Sequence, residues 1–369
     1  MNFVDRSASF AALDLGTSNC RLLVARPESW AVDGSGYRVI DAFSRTVRLG
    51  EGVEASGRLS ERAMARTIEA LAICAGKLRA RGVRHGRYVA TEACRRAENC
   101  SEFLERVRVA TGLRIEIIPT AEEARLALAG CAALLDPHVP NAIVFDIGGG
   151  STELLWVRVR PPARPGGRVS TEIRGVISLP FGVVSLTERL DSGMLNGGPI
   201  DHGVPDATSF ETLVRHVTEA FRGFNSWHRI TRQIERGNVQ MLGSSGTVTT
   251  LAGISQRLPR YDRNRVDGVS LGFDEVHRVI ANLVAMTPAR RSAEPCIGAG
   301  RADLMIAGCA IVEALCRVWP VGRLRVADRG VREGILAGLL AARPWATGQD
   351  NTDIAACMTP PILGTLAPL

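Results

Sequence analysis

The chain is predicted to fold as two similar α/β units flanking one cleft, and three observations predict it. Short apolar strands alternate with amphipathic helices along most of the sequence. An acid–glycine motif occurs twice, the copies starting about one domain apart. At 369 residues the chain exceeds what one hydrophobic core normally supports, so two domains are expected.

In chain order, residues 11–15 read as a short apolar strand, and 21–26 as its hairpin or sheet partner. Within 60–81, Met64, Ile68, Leu71, Ala75 and Leu78 recur every three or four residues, the mark of a helix. Ser60 can cap it and Gly82 can end it. Residues 87–90 and 115–118 read as strands, and a helix opens at Thr120 and runs toward Leu135. The break Asp136-Pro-His-Val-Pro140 is taken as the domain boundary. It gives an N-terminal domain 1–138 and a second domain 139–342, whose last helix can pack back on the first. Beyond lies a Pro/Thr-rich tail, 343–369, expected to be loosely ordered. The second half opens with a buried strand at 142–145. An exposed hairpin tip is expected at 161–167, a loop at 193–205, a long amphipathic helix over 210–234, and another helix through Met305, Cys309, Val312 and Cys316.

Composition narrows the function classes. With 46% hydrophobic and 22% charged residues the chain is globular rather than disordered. No apolar run approaches the ~20 residues of a membrane span, and Met1 to Phe10 lacks the basic start and apolar core of an export signal. The nine cysteines form no C-x-x-C pair, which suits reduced thiols and a cytoplasmic protein. The six histidines are scattered, so zinc is not indicated. A net charge of +7 favours anionic partners, although it also fits an ordinary solvated surface. With three tyrosines and no Arg–aromatic stripe, sequence-specific nucleic-acid binding has little support.

The internal repeat carries most of the functional argument. Ala12-Leu-Asp-Leu-Gly-Thr-Ser-Asn-Cys-Arg-Leu-Leu-Val24 matches Val144-Phe-Asp-Ile-Gly-Gly-Gly-Ser-Thr-Glu-Leu-Leu-Trp156. Asp14 aligns with Asp146, Gly16 with Gly148, and Arg21 with Glu153. A strand ending in Asp and followed by a Gly/Ser/Thr turn sets a carboxylate beside a row of backbone N–H groups. The N–H groups can cradle phosphate, and the carboxylate can hold Mg²⁺ or its waters. One such motif is an ordinary strand–turn signal; two in the same frame are far more specific. A third Gly/Ser turn, in Gln240-Met-Leu-Gly-Ser-Ser-Gly-Thr247, opens a helix and offers another anion site, though it also fits a plain strand–turn–helix link.

These residues resemble the exopolyphosphatase / guanosine pentaphosphate phosphatase family, within the actin-like ATPase and sugar kinase superfamily. The matching strings are Asp14-Leu-Gly-Thr-Ser-Asn-Cys-Arg21, Ala90-Thr-Glu-Ala-Cys-Arg95, Glu122-Glu-Ala-Arg125, Asp146-Ile-Gly-Gly-Gly-Ser-Thr-Glu153, Leu179-Pro-Phe-Gly182, Gly243-Ser-Ser-Gly-Thr247 and Asp328-Arg-Gly-Val-Arg-Glu-Gly334. The resemblance implies two actin-like, ribonuclease H-like domains and a Mg²⁺-dependent hydrolase that removes the terminal phosphate of polyphosphate, of guanosine pentaphosphate, or of both. It implies Glu123 as the base that orients water, Glu153 as a second acid helping with metal or water, and Asp14 and Asp146 on the metal side. Thr17, Ser18, Asn19, Arg21, Gly148, Gly149, Gly150, Ser151, Thr152, Ser245, Gly246 and Thr247 would meet phosphate, and Arg95 would clamp the substrate chain. Ser18 stands where the family commonly has Asn, and Asn19 follows at once. The chain is too short for the extra C-terminal helical domains of the long members. A homodimer is a further expectation.

Each residue has a plainer reading. Thr120-Ala-Glu-Glu123 is a capping box, in which Glu123 would only satisfy a helix terminus. Arg95 fits a solvated arginine, Arg21 a partner for a carboxylate, Asp303 a helix-start charge, and 328–333 a surface turn. Two rival functions share the loops: a kinase or ATPase of the same superfamily, and a non-catalytic sensor of guanosine polyphosphates.

Overall fold

The computed structural model describes residues 8–28, 36–163, 169–191, 207–297 and 300–342. Residues 1–7, most of the expected 161–167 tip, the 193–205 loop and the 343–369 tail lie outside them.

In the first half, β1 (Ser9–Leu15) pairs antiparallel with β2 (Asn19–Pro27), which pairs antiparallel with β3 (Tyr37–Thr46). The short α1 (Val53–Ser56) and the long α2 (Glu61–Ala80) follow. Then β4 (Val83–Ala90) lies parallel to β1 on its other side. Next come α3 (Glu92–Arg96) and α4 (Cys100–Thr111), then β5 (Glu116–Ile117), parallel to β4, and α5 (Thr120–Cys131). The spatial order is β3-β2-β1-β4-β5.

The second half repeats the plan. An antiparallel meander of β6 (Asn141–Ile147), β7 (Thr152–Arg160) and β8 (Ser170–Leu179) leads to α6 (Val183–Asp191), α7 (Ala207–His228) and α8 (Ile230–Ile234). Strand β9 (Val239–Ser245) lies parallel to β6 and runs into α9 (Gly246–Ser255). The chain continues through α10 (Arg263–Val266), β10 (Ser270–Gly272), α11 (Phe273–Ala285), α12 (Pro288–Ala293) and α13 (Met305–Val318). It ends on β11 (Arg323–Ala327), parallel to β9, and α14 (Val331–Ala341). Setting the edge strand β10 aside, the order β11-β9-β6-β7-β8 is the first sheet again.

The local reasons are visible in each strand and cap. In both β1 and β6 every residue is buried except the acid, as expected of central strands covered on both faces. Ser60 caps α2 by accepting from the Ala63 N–H, and Gly82 takes the left-handed turn after it at φ +59°. The expected 120–135 helix is α-helical only to Cys131 and tightens to a 3₁₀ turn over Ala132–Leu134. The expected single helix over 210–234 is two. Arg229, at φ +52°, stops α7, and Asn225 Oδ1 accepts from both Thr231 and Trp319, folding α8 back.

The halves exchange their last helices. Helix α5 packs Ala124, Leu128 and Cys131 onto Ala142, Val144 and Leu155 of the second sheet. Helix α14 packs Val331, Ile335 and Leu336 onto Phe10, Ala12 and Leu23 of the first. The two helices cross backbone to backbone. A Cβ on Gly130 would run into the Gly330 main chain, and one on Gly334 into that of Leu126. The outer faces carry ordinary cores, Met64, Leu71 and Phe103 in the first half and Phe145, Phe221 and Trp319 in the second.

Candidate active site

The β1–β2 and β6–β7 turns face each other across the cleft. Each is closed by the same bond: Gly16 N donates to Asn19 O at 2.9 Å, and Gly148 N to Ser151 O at 2.9 Å. Their carbonyls are turned toward supporting segments. Thr17 O and Ser18 O accept from Gly50, Val47 and Arg48, while Gly148 O and Gly149 O accept from Val183 and Val184. Among the described residues, no protein acceptor takes the N–H of Thr17, Ser18, Gly149 or Gly150. The turns touch so closely that side chains do not fit between them. A Cβ on Gly149 would stand 2.9 Å from Thr17 Cβ and 3.0 Å from Ser18 N. Glycine here serves close approach.

A cavity of about 100 Å³ opens between the turns. The first half lines it with Asp14, Thr17, Ser18, Asn19 and Arg21, and the second with Asp146, Gly148, Gly149, Gly150 and Ser151. The β9–α9 turn contributes Ser245, Gly246 and Thr247, and α5 contributes Glu123. The Ser245 hydroxyl is partly committed, capping α9 through the Val248 N–H at 2.9 Å.

Three expected site residues stand back from this cavity. The Thr152 hydroxyl is fully buried and donates to Phe181 O at 2.8 Å. Glu153 is 2% exposed, accepts from Ser178 Oγ at 2.9 Å and lies across the strand pair from Asp146, outside the cavity lining. Arg95 is neither solvated nor aimed at the cavity. It is bound to Glu92, Glu123 and the Ile118 carbonyl. The capping box also fails to form: Thr120 is already helical, Pro119 is the cap residue, and the Glu123 side chain turns to Arg95 at 2.8 Å. Asp303 does not start a helix but binds Arg48 across the cleft at 2.8 Å. Segment 328–333 is not a surface turn, because Glu333 is 4% exposed and bound by Arg263 at 2.7 Å.

Two charged lining residues escaped sequence reasoning. Arg301 lies over Gly246, where an added Cβ would meet its guanidinium. Glu92, at the start of α3, faces Gly150. The usable signal for Arg301 was a lone basic residue before an apolar helix; for Glu92 it was the β4–α3 turn, which stands in the first sheet where β9–α9 stands in the second.

The site concentrates poorly solvated carboxylates. Burial, then the neighbouring Glu123, pushes Asp146 up to about 7. Burial raises Asp14 while Arg21 pulls it back down. Glu123 is also held high, first by burial and next by Glu153; Glu153 is raised by burial, pulled back by a hydrogen bond from Ser151 and raised again by Asp146. Arg301 is lowered by burial and by Arg21. The cavity is thus short of positive charge on its acid side and crowded with it on its arginine side. A hard cation bound by oxygen together with a phosphate would relieve both. Among the described residues no three His, Cys, Asp or Glu side chains converge as a ready-made cage.

Two ribonuclease H-like halves, joined through exchanged helices around paired glycine turns, define the two-domain actin-like fold. The chain belongs to the Ppx/GppA phosphatase family, whose sequence pattern matches residues 31–343. It is 30% identical to exopolyphosphatase 2 of Mycobacterium tuberculosis over 338 residues, covering 89% of this chain and 98% of that protein. It is 25% identical to the guanosine-5'-triphosphate,3'-diphosphate pyrophosphatase of Aeromonas hydrophila, over 94% of this chain and 62% of that longer protein. The crystal structure of the Aquifex aeolicus family member superposes with a TM-score of 0.68 at 29% identity, covering 90% of this chain and 97% of that one.

Proposed function

We propose that this chain is a Mg²⁺-dependent phosphohydrolase that removes the terminal phosphate of inorganic polyphosphate, of guanosine pentaphosphate, or of both. The observation that carries the reading is the pair of facing turns whose Thr17, Ser18, Gly149 and Gly150 N–H groups have no protein acceptor among the described residues, set between poorly solvated carboxylates and two arginines. Phosphoryl transfer asks chiefly for positioning and charge neutralisation, and this site offers both.

Thr17, Ser18, Gly149 and Gly150 N–H groups hold the terminal phosphate oxygens, and Arg21 and Arg301 neutralise the anion from the opposite side. Glu123 orients a water and takes its proton as the water oxygen bonds to the terminal phosphorus. The bridging P–O bond breaks, and the shortened polyanion leaves with the electron pair. Mg²⁺ held by Asp14 and Asp146 would screen phosphate and carboxylate charge alike. Glu153, across the strand pair from Asp146, adds negative charge on the metal side.

No helix among the described residues is long and apolar enough to cross a membrane. Their eight cysteines are all free and buried. Both features support the cytoplasm as the working compartment.

The test is phosphate release from polyphosphate and from guanosine pentaphosphate, with Mg²⁺ and with excess chelator. Release that stops in chelator supports the reading and ranks the substrates. Tight binding without release from either would sink it and leave a sensor; transfer of phosphate from ATP to an acceptor, with no free phosphate released, would make the chain a kinase.

A further inference from the structure

Glu92 has no role in the chemistry described so far, yet it sits at the joint between both halves. It is the first residue of α3, immediately after β4, and lines the cavity. Its stem rests on the second glycine turn, where a Cβ on Gly150 would stand 3.2 Å from Glu92 Cγ. Its Oε2 accepts from Arg95 twice, from Nε at 3.0 Å and from Nη2 at 2.8 Å. Arg95 Nη1 in turn donates to Glu123 Oε2 at 2.8 Å and to the Ile118 carbonyl at 2.9 Å. Four of the five guanidinium N–H donors are therefore committed inside the first half. All three side chains are largely buried, at 15%, 15% and 12% exposure, so this is not a solvated i,i+3 pair on a helix surface.

We propose that Glu92 is a positioning residue for hydrolysis, locking Arg95 so that Arg95 fixes the Glu123 carboxylate toward the cavity. The inference rests on the reading of Glu123 as the water-orienting base. Arg95 ties down Glu123 Oε2; among the described residues Oε1 has no protein donor and is left for the water. A planar fork can hold two carboxylates and a carbonyl in one plane, whereas a lysine ammonium at the same place cannot. Because Glu92 also bears on the Gly150 turn, closure of that turn on phosphate and alignment of the base are coupled through one side chain.

The experiment compares wild type with Glu92→Gln, Arg95→Lys, Glu123→Gln and the double variant Glu92→Gln/Glu123→Gln. Turnover of polyphosphate and its equilibrium affinity are measured for each, with thermal melting as a check on folding. A misaligned base should lower kcat about 10- to 100-fold in Glu92→Gln and in Arg95→Lys, with affinity unchanged within about twofold. Because Glu92 acts through Glu123, adding Glu92→Gln to Glu123→Gln should cost almost nothing more. A rise in Kd of about tenfold in Arg95→Lys would make Arg95 a substrate clamp and overturn the proposal. Full turnover in Glu92→Gln, or losses that simply multiply in the double variant, would overturn it too. If wild type binds polyphosphate without releasing phosphate, the hydrolase reading fails; the Arg95→Lys affinity then still decides whether Arg95 touches the ligand.

Discussion

The first and second halves carry the same turn on the same sheet but load it with opposite chemistry. Across β1–β2 the acid Asp14 faces Arg21, whereas across β6–β7 the acid Asp146 faces Glu153. In the first half the pair neutralises itself, and Arg21 still reaches the cavity. In the second half two acids are stacked, the outer one lining the cavity and the inner one buried at 2% exposure. The two halves thus share one frame, and the residue across from each acid, Arg21 in one and Glu153 in the other, gives them opposite charge. The exchanged helices differ in the same way. Near the start of α5, Glu123 faces the cavity, while in the first turn of α14, Glu333 is neutralised by Arg263 and its own Gly330 N–H.

That asymmetry can be broken in order of expected effect. Glu123→Gln should lower phosphate release by about 10² or more with polyphosphate affinity retained, measured as kcat and Kd side by side. The corresponding Glu333→Gln should instead leave affinity intact and act through stability, since its carboxylate is spent on Arg263. Unchanged turnover in Glu123→Gln would place the base elsewhere.

The acid pair comes next. Asp146 has its carboxyl raised from an ordinary 3.8 to about 7, so the folded chain holds a proton that the unfolded chain has already lost. Between those values stability falls as pH rises, and above about 7 the full penalty is present. In metal-free protein at pH 8, Asp146→Asn should therefore raise the unfolding free energy, by at most about 4 kcal/mol. Asp14→Asn should gain less, because it also leaves Arg21 without its carboxylate. Equal gains in urea titrations at pH 8 would mean that the two halves are electrostatically alike. Both variants should lose Mg²⁺-supported turnover.

The turns differ in how tightly they are packed. Gly149→Ala has a Thr17 carbon and the Ser18 nitrogen within 3.0 Å, so the turns must part, at a cost of about 1–3 kcal/mol and with a higher KM. Gly16→Ala, whose nearest atom is Asn19 O at 3.6 Å, should be nearly silent in the same assays. The smallest effect is expected from the cleft-spanning pair of Arg48 and Asp303. Asp303 is 46% exposed, so Asp303→Asn should cost no more than about 1 kcal/mol, and less at high salt.

Much of this frame was legible before any coordinates. The alignment of Asp14 with Asp146 foretold both turns; that Arg21 and Glu153, which share an offset, sit across from those acids came only with the pairing of the strands. Helix α2 was readable from its cap and spacing, since those are properties of neighbours in the chain. The long 210–234 helix was misread because its break depends on Asn225 meeting Trp319, 94 residues away. The capping reading of Glu123 failed for a similar reason. Arg95, 28 residues earlier, offers a charged partner in a buried place, and that outweighs a helix cap.

The sequence by itself determined what is local or repeated: the strand–turn glycine loops, their acids, the alternation of α and β, and the α2 cap. Periodicity and turn chemistry act over a few residues and leave their mark in the order of the chain. The tertiary structure alone decided which acids face the cavity and which are buried behind it. It also brought Arg301 over Gly246, gave Arg95 to Glu123 rather than to the substrate space, and sent α5 and α14 to each other's sheets. These outcomes depend on desolvation and on contacts between distant segments, and only the packed chain sets the dielectric and the partner that each charge meets.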